Sequence, residues 1–368
     1  MLKKCIVSSF LILCLLFPAL SVNCSAMDIS ARSAVVINGE NGNIAYEKNA
    51  HARMGMASTT KIMTAITALE NCDDINKTVS IDDRAIGIEG SSIYMKKGEK
   101  LTMKELLYAL LLQSANDAAA AIAYEVSGSI EGFAELMNEK ANGLGLKDTH
   151  FTNPHGLYDE DHYTTAYELA LITKHALSNP LFREIVSTKK ATITQNNGEG
   201  KRVLVNHNKL LSLYEGCIGV KTGFTKKTGR CLVSAAEKDG TLSIAVTLNA
   251  PNDWQDHKKL LDKGFDTFAT YHLASPEQYS FRLSVVGSET NYIQAKNAEG
   301  LKYTCQKQDS SITKEIILDR FLFAPINKGD KVGQVIFYNQ GKEIGRIDLV
   351  ADKNAPVKKV KKKLFGIF

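Results

Sequence analysis

The chain has 368 residues, of which 44% are hydrophobic and 23% charged, enough for one large folded domain and a smaller one. Its net charge of +5 sits at the ends, because residues 1–26 carry two lysines and no acid while residues 353–368 carry six lysines and no acid. The body is therefore slightly acidic, which gives no support to a nucleic-acid partner.

Lys3 and Lys4, the apolar run Cys5 to Leu20 and the small residues Cys24-Ser25-Ala26 predict a secretory signal peptide over 1–26 rather than a retained anchor. The protein is thus expected to be exported. Of the seven cysteines, Cys72, Cys217, Cys231 and Cys305 would remain after cleavage. Four scattered cysteines in a large domain are no disulfide framework, and whether Cys217 and Cys231 pair across a predicted hairpin is open. No C-x-x-C or H-E-x-x-H spacing is present, so neither a metal nor another cofactor is expected.

Residues 33–48 read as a hairpin around Gly39-Glu40-Asn41. Ile62, Ala65, Ile66 and Leu69 predict a buried helix over 58–70. A second helix starts at Leu101, with Thr102 and Glu105 forming a capping box, and runs to about Leu112. Gln113 to Asp117 is a short connection before an alanine-rich helix over 118–126, and another helix covers 130–142. A loop over 150–163 precedes a helix at 164–178, and Asn196-Asn197-Gly198 marks a hairpin tip. Strands are predicted over 217–222, 230–237 and 242–248, then a helix over 253–270. From about 274 short strand-like runs predict a small all-β domain to 352. In the tail, 353–368, Val357, Val360, Leu364 and Ile367 alternate with lysines at helical spacing, which suits an anionic membrane surface.

Three short motifs fit one active site. Ser58 and Lys61 are three apart on a predicted helix and so share a face, which allows the lysine to take the serine's proton. Ser114 and Asn116 offer a hydroxyl and an amide. Lys221 and Thr222, at a predicted strand end, suit a carboxylate, and Gly223 permits a close backbone approach. Each motif is cheap alone. S-x-x-K recurs at Ser187 and Ser311, S-x-N at Ser21, and K-T-G at Lys227. The order and placement of the three single out the set at Ser58, Ser114 and Lys221.

With Ala57 to Thr64, Ser114 to Ala119, Thr152 to Leu157 and Gly219 to Gly223, the chain resembles the low-molecular-mass penicillin-binding proteins, the serine-type D-alanyl-D-alanine carboxypeptidases. The resemblance spans nearly the whole chain. It implies an α/β (α+β) β-lactamase/transpeptidase-like catalytic domain over 27–273, with an antiparallel sheet between helices, plus the small C-terminal all-β domain over 274–352. It also implies that Ser58 attacks a peptidoglycan stem peptide between its last two D-alanines and Lys61 is the base. Ser114 would relay a proton, Asn116 would hold Lys61 and substrate, and Lys221 and Thr222 would bind the terminal carboxylate. The backbone N–H groups of Ser58 and Phe224 would form the oxyanion hole. β-Lactam antibiotics would acylate the same serine.

Two departures stand out. Thr228-Gly229 replaces an alanine-glycine pair, and Asn252 to Lys258 lacks an arginine that members often carry before the last helix, so either Lys221 and Thr222 suffice for the carboxylate or His257 or Lys258 substitutes. A serine β-lactamase would need a deacylating glutamate, for which Glu160 and Glu168 lie in the right region but outside an E-x-x-x-N pattern. A penicillin-binding scaffold without turnover is the third reading.

Overall fold

The computed structural model describes residues 27–359. The expected leader and residues 360–368 of the tail lie outside them.

β1 (Ser33–Asn38) and β2 (Ile44–Lys48) form the expected hairpin. A 3-10 turn at Ala57–Thr60 leads into α1 (Lys61–Glu70). The helix was expected from Ser58, but Thr59 Oγ1 and Thr60 Oγ1 donate to the carbonyls of Met56 and Ala57, and those local bonds favour a tighter turn. β3 (Thr78–Ser80) pairs with β4 (Lys100–Thr102). Then comes α2 (Met103–Leu112), with the Thr102–Glu105 capping box in place. α3 (Asn116–Ser127) begins two residues earlier than its apolar pattern suggests, so Asn116 is helical and only Gln113, Ser114 and Ala115 connect. α4 (Ile130–Gly143) and α5 (Ala166–Leu177) follow. α6 (Pro180–Ser187) was missed, although Asn179 caps it and Pro180 opens it.

β5 (Lys190–Gln195) and β6 (Gly200–Val205) make the second hairpin. After the short α7 (Leu210–Leu213), β7 (Cys217–Thr225), β8 (Gly229–Lys238) and β9 (Thr241–Leu248) run antiparallel. The five-stranded sheet has the order β2-β1-β9-β8-β7, so β7 is an edge. α8 (Asp253–Thr267) covers one face, where Leu260 and Leu261 pack on Ala34, Val36, Ala236 and Ala245. On the other face the main core joins Val35, Ile37, Val233 and Val246 to Ile62, Met63 and Ile66 of α1. An antiparallel sheet thus lies between helices, as expected.

β10 (Phe268–Ala274) leads out of α8. β11 (Ser280–Val286), β12 (Tyr292–Asn297), β13 (Leu301–Gln306), β14 (Ile312–Leu318), β15 (Phe321–Phe323), β16 (Lys331–Asn339) and β17 (Lys342–Ala351) follow. β10 pairs with β13, and the other six form a sheet in the order β14-β16-β17-β12-β11-β15. Their core holds Leu283, Ile293, Val335, Phe337 and Leu349, separate from the first. The two parts touch where Asn41 Nδ2 donates to the Thr304 carbonyl and Thr270 Oγ1 lies between the hydroxyls of Thr241 and Thr304. Val357 still pairs with Ser288 in an extended segment. No helix among the described residues is long and apolar enough to cross a membrane.

Candidate active site

The 3-10 turn places Ser58 one residue pair before a helix that is buried from Lys61 to Ala68, so the serine stands on a rigid base. Lys61 is 0% exposed. Its Nζ lies 3.1 Å from Ser58 Oγ, 2.7 Å from Asn116 Oδ1 and 2.5 Å from the carbonyl of His155. Three acceptors meet the three N–H bonds of the protonated amine; on losing a proton it keeps two of them, to Asn116 and His155, and turns a lone pair to Ser58 Oγ. Burial, reinforced by the charge of Lys221, pushes the Lys61 amine well below its ordinary value. A lysine so placed is able to exist as a neutral base beside a serine hydroxyl.

Asn116 is positioned from three sides. Its backbone N–H donates to the Ser91 carbonyl and its Nδ2 to the Glu89 carbonyl. A Cβ on Gly90 would stand 2.7 Å from that Nδ2, so only glycine fits the wrap. The neighbouring Asp117 is buried and accepts from Ser92 Oγ and from the backbone N–H groups of Ile93 and Met95. The loop is further held by the buried pair of Arg202 and Glu99. Ser114 is 5% exposed and adopts a positive φ of 59° at the turn between α2 and α3.

Lys221, Thr222 and Gly223 lie inside β7, which runs two residues past Gly223, and not at its end as expected. The strand runs on because Phe224 and Thr225 keep pairing with Arg230 and Gly229. Lys221 is 1% exposed, and its Nζ donates to the Thr222 carbonyl at 2.8 Å. Burial lowers its pKa to about 7. Gly223 faces Ser58, since a Cβ there would stand 3.0 Å from the Ser58 backbone nitrogen. Phe224 is 63% exposed beside this contact.

Several expectations change. His162, in the loop before α5, is buried, with Nε2 2.7 Å from Thr60 Oγ1 and Nδ1 accepting from the Thr152 N–H. That fixes its tautomer with the proton on Nε2. His155 serves through its backbone carbonyl, and burial drops its ring pKa to about 3. His257 does not reach the cleft. It is buried against the α8 face of the sheet, bonded to Ser234 Oγ and Thr247 Oγ1. Glu168 gives its carboxylate to the N–H groups of Lys147 and Asp148 and to Thr149 Oγ1, and Glu160 is exposed, so neither stands as a deacylating base. The four cysteines among the described residues are free. Sequence reasoning missed the Glu89–Met95 wrap and Asp117. A glycine before a run of small polar residues was the only signal.

Comparison with known proteins identifies the family. The family described as D-alanyl-D-alanine carboxypeptidase matches residues 21–252, and the C-terminal domain of penicillin-binding protein 5 matches residues 268–357. D-alanyl-D-alanine carboxypeptidase DacF of Bacillus subtilis is 33% identical over 333 residues, covering 88% of this chain and 85% of that protein. DacC of Escherichia coli is 31% identical over 345 residues, covering 89% and 85%. Among solved structures, penicillin-binding protein 5 from Haemophilus influenzae aligns with a TM-score of 0.65 at 27% identity, over 89% of this chain and 98% of that one. With its paired serine and lysine, its edge strand and its appended β domain, the chain belongs to the serine D-alanyl-D-alanine carboxypeptidase family of penicillin-binding proteins.

Proposed function

We propose that Ser58 carries the carboxypeptidase reaction of this family with Lys61 as its base. The observation that supports this is the 3.1 Å contact between the buried Lys61 Nζ and the partly exposed Ser58 Oγ. Ser58 Oγ attacks the carbonyl carbon between the last two D-alanines of a peptidoglycan stem peptide as Lys61 takes its proton. The oxyanion accepts from the backbone N–H groups of Ser58 and Phe224, which the close approach of Gly223 brings together. Ser114 passes the proton to the departing D-alanine nitrogen, and Asn116 orients both Lys61 and the peptide. Lys221 and Thr222 hold the terminal carboxylate. Water, deprotonated by the same lysine, then frees the shortened peptide and regenerates the serine. β-Lactam antibiotics acylate Ser58 by the same first step, and with Glu160 and Glu168 unsuited to deacylation the adduct persists.

The catalytic part, 27–273, works at the outer face of the bacterial cell membrane, delivered by the leader 1–26. The β domain, 274–352, lifts it from the surface, and the basic tail, 353–368, rests on anionic lipid. The lysine-rich composition of the tail supports that placement.

Mass spectrometry of the benzylpenicillin adduct is expected to find it on Ser58, and Ser58→Ala is expected to release no D-alanine from a synthetic D-Ala-D-Ala peptide. An adduct elsewhere, or turnover by the alanine variant, overturns the assignment.

A further inference from the structure

A peptide that ends in a free carboxylate needs a cation that stays charged. Lys221 is buried and its pKa is near neutrality, so it supplies that charge only in part. His257, the histidine nearest in sequence to the expected position, is walled off behind the sheet.

The register of β7 and β8 offers another group. Lys221 lies opposite Val233, which belongs to the core on the α1 side. The alternate residues therefore face α8. Ser234 does so, since it bonds His257 of α8, and Leu232 and Arg230 follow at steps of two along the same strand. Thr222 is the partner of Leu232, and Phe224 is the partner of Arg230. Thr222 and Arg230 are thus diagonal neighbours on one face, a spacing that a long side chain spans. Adjacent strands are about 4.8 Å apart, less than the reach of an arginine, so the guanidinium can arrive at the open edge of β7 from beneath.

Its setting is that of a held cation with free donors. Nη2 bonds both carboxylate oxygens of Asp253, at 3.0 and 2.9 Å. The guanidinium lies 5.9 Å from the ring of Trp254, and the side chain is 43% exposed. Nε and Nη1 have no partner among the described residues. Asp253, itself buried at the start of α8, thus orients the fork without saturating it.

We propose that Arg230, held by Asp253 and carried on the strand next to the substrate edge, is the fixed cation that binds the terminal carboxylate beside Thr222. The inference rests on the carboxypeptidase reading above. It makes Arg230 a specificity residue, which selects peptides with a free C-terminus through the planar fork that lysine cannot reproduce.

The test compares a synthetic L-Lys-D-Ala-D-Ala peptide with its C-terminal amide. In Arg230→Gln, kcat/KM for the acid is expected to fall about 10- to 100-fold, chiefly through KM, while the amide changes less than about threefold. Arg230→Lys is expected to keep the charge and recover only part of the preference. If the glutamine variant fails to fold, the lysine variant is read alone, and a preference equal to wild type overturns the proposal. An unchanged acid-to-amide ratio in folded Arg230→Gln overturns it as well, as does transfer of the effect to Lys226→Ala or Lys227→Ala. Absence of D-alanine release by the wild-type chain would instead strike the carboxypeptidase reading.

Discussion

Gly223 and Ser58 meet backbone to backbone. A Cβ on Gly223 would stand 3.0 Å from the nitrogens of both Ser58 and Thr59 and 3.2 Å from the Cβ of Ala57. The requirement is for space and not for an unusual φ. The contact sets the edge strand against the 3-10 turn, the approach that the proposed oxyanion hole requires.

Gly223→Ala tests that contact. The neighbours must give by a few tenths of an ångström, and misplacement on this scale in a preorganised site costs about 10²-fold in rate. The second-order rate of benzylpenicillin acylation is expected to fall by about that factor, with Tm lowered by only a few degrees. Acylation at the wild-type rate would show that the site does not depend on this approach.

Asp117 ties the Glu89–Met95 loop to the helix that carries Asn116. Removing its carboxylate leaves buried N–H groups of Ile93 and Met95 without an acceptor. Asp117→Ala is expected to cost about 2–4 kcal/mol in urea unfolding. Activity should fall further than stability accounts for, because Asn116 loses its wrap. Asp117→Asn, which keeps an oxygen, should recover part of both.

The sheet, its helices and the three motifs were legible because each leaves a local pattern. The capping box at Thr102 and Glu105 is four residues of sequence, and the alternation of Leu242 to Leu248 is one strand. What was missed is set by contacts across the chain. Asn116 starts a helix because the Ser91 carbonyl takes its N–H, a bond 25 residues away in sequence. His162 is buried because Thr60, 102 residues earlier, offers it a hydroxyl. β7 extends past Gly223 because β8 continues to pair with it, which nothing in Phe224-Thr225 announces. Arg230 likewise acquires meaning only once register places it across from Phe224.

Lys221 should be a burden on the fold. Its folded pKa of about 7 lies below the ordinary 10.5, and burial is the cause. The unfolded chain then binds the proton more tightly, so the cost is complete below about pH 7 and fades as pH rises toward 10.5. Lys221→Met, similar in volume, is expected to abolish D-alanine release yet raise stability by about 1–3 kcal/mol near pH 6. The gain should shrink in thermal melts taken at progressively higher pH. A loss of stability at pH 6 would contradict this account of the buried amine.

The pH profile should belong to the lysines. Burial lowers the pKa of His155 to about 3, of His162 to about 4 and of His257 to about 3, so these rings stay neutral from pH 5 upward. Lys61 acts as a base only when neutral, so its depressed pKa sets the rise of activity with pH. Lys221 is charged below about pH 7 and neutral above it. For a substrate with a carboxylate, kcat/KM is therefore expected to decline above about pH 7. The bound carboxylate raises the pKa of Lys221, so kcat should hold to higher pH than kcat/KM does. If Arg230 shares the carboxylate as proposed, the decline should level off and not run to zero, because its fork still offers hydrogen-bond donors when Lys221 is neutral. Lys221→Arg should move the alkaline limb out of range, while the C-terminal amide should show little decline even in the wild type. A limb that persists unchanged in Lys221→Arg would assign it to another group.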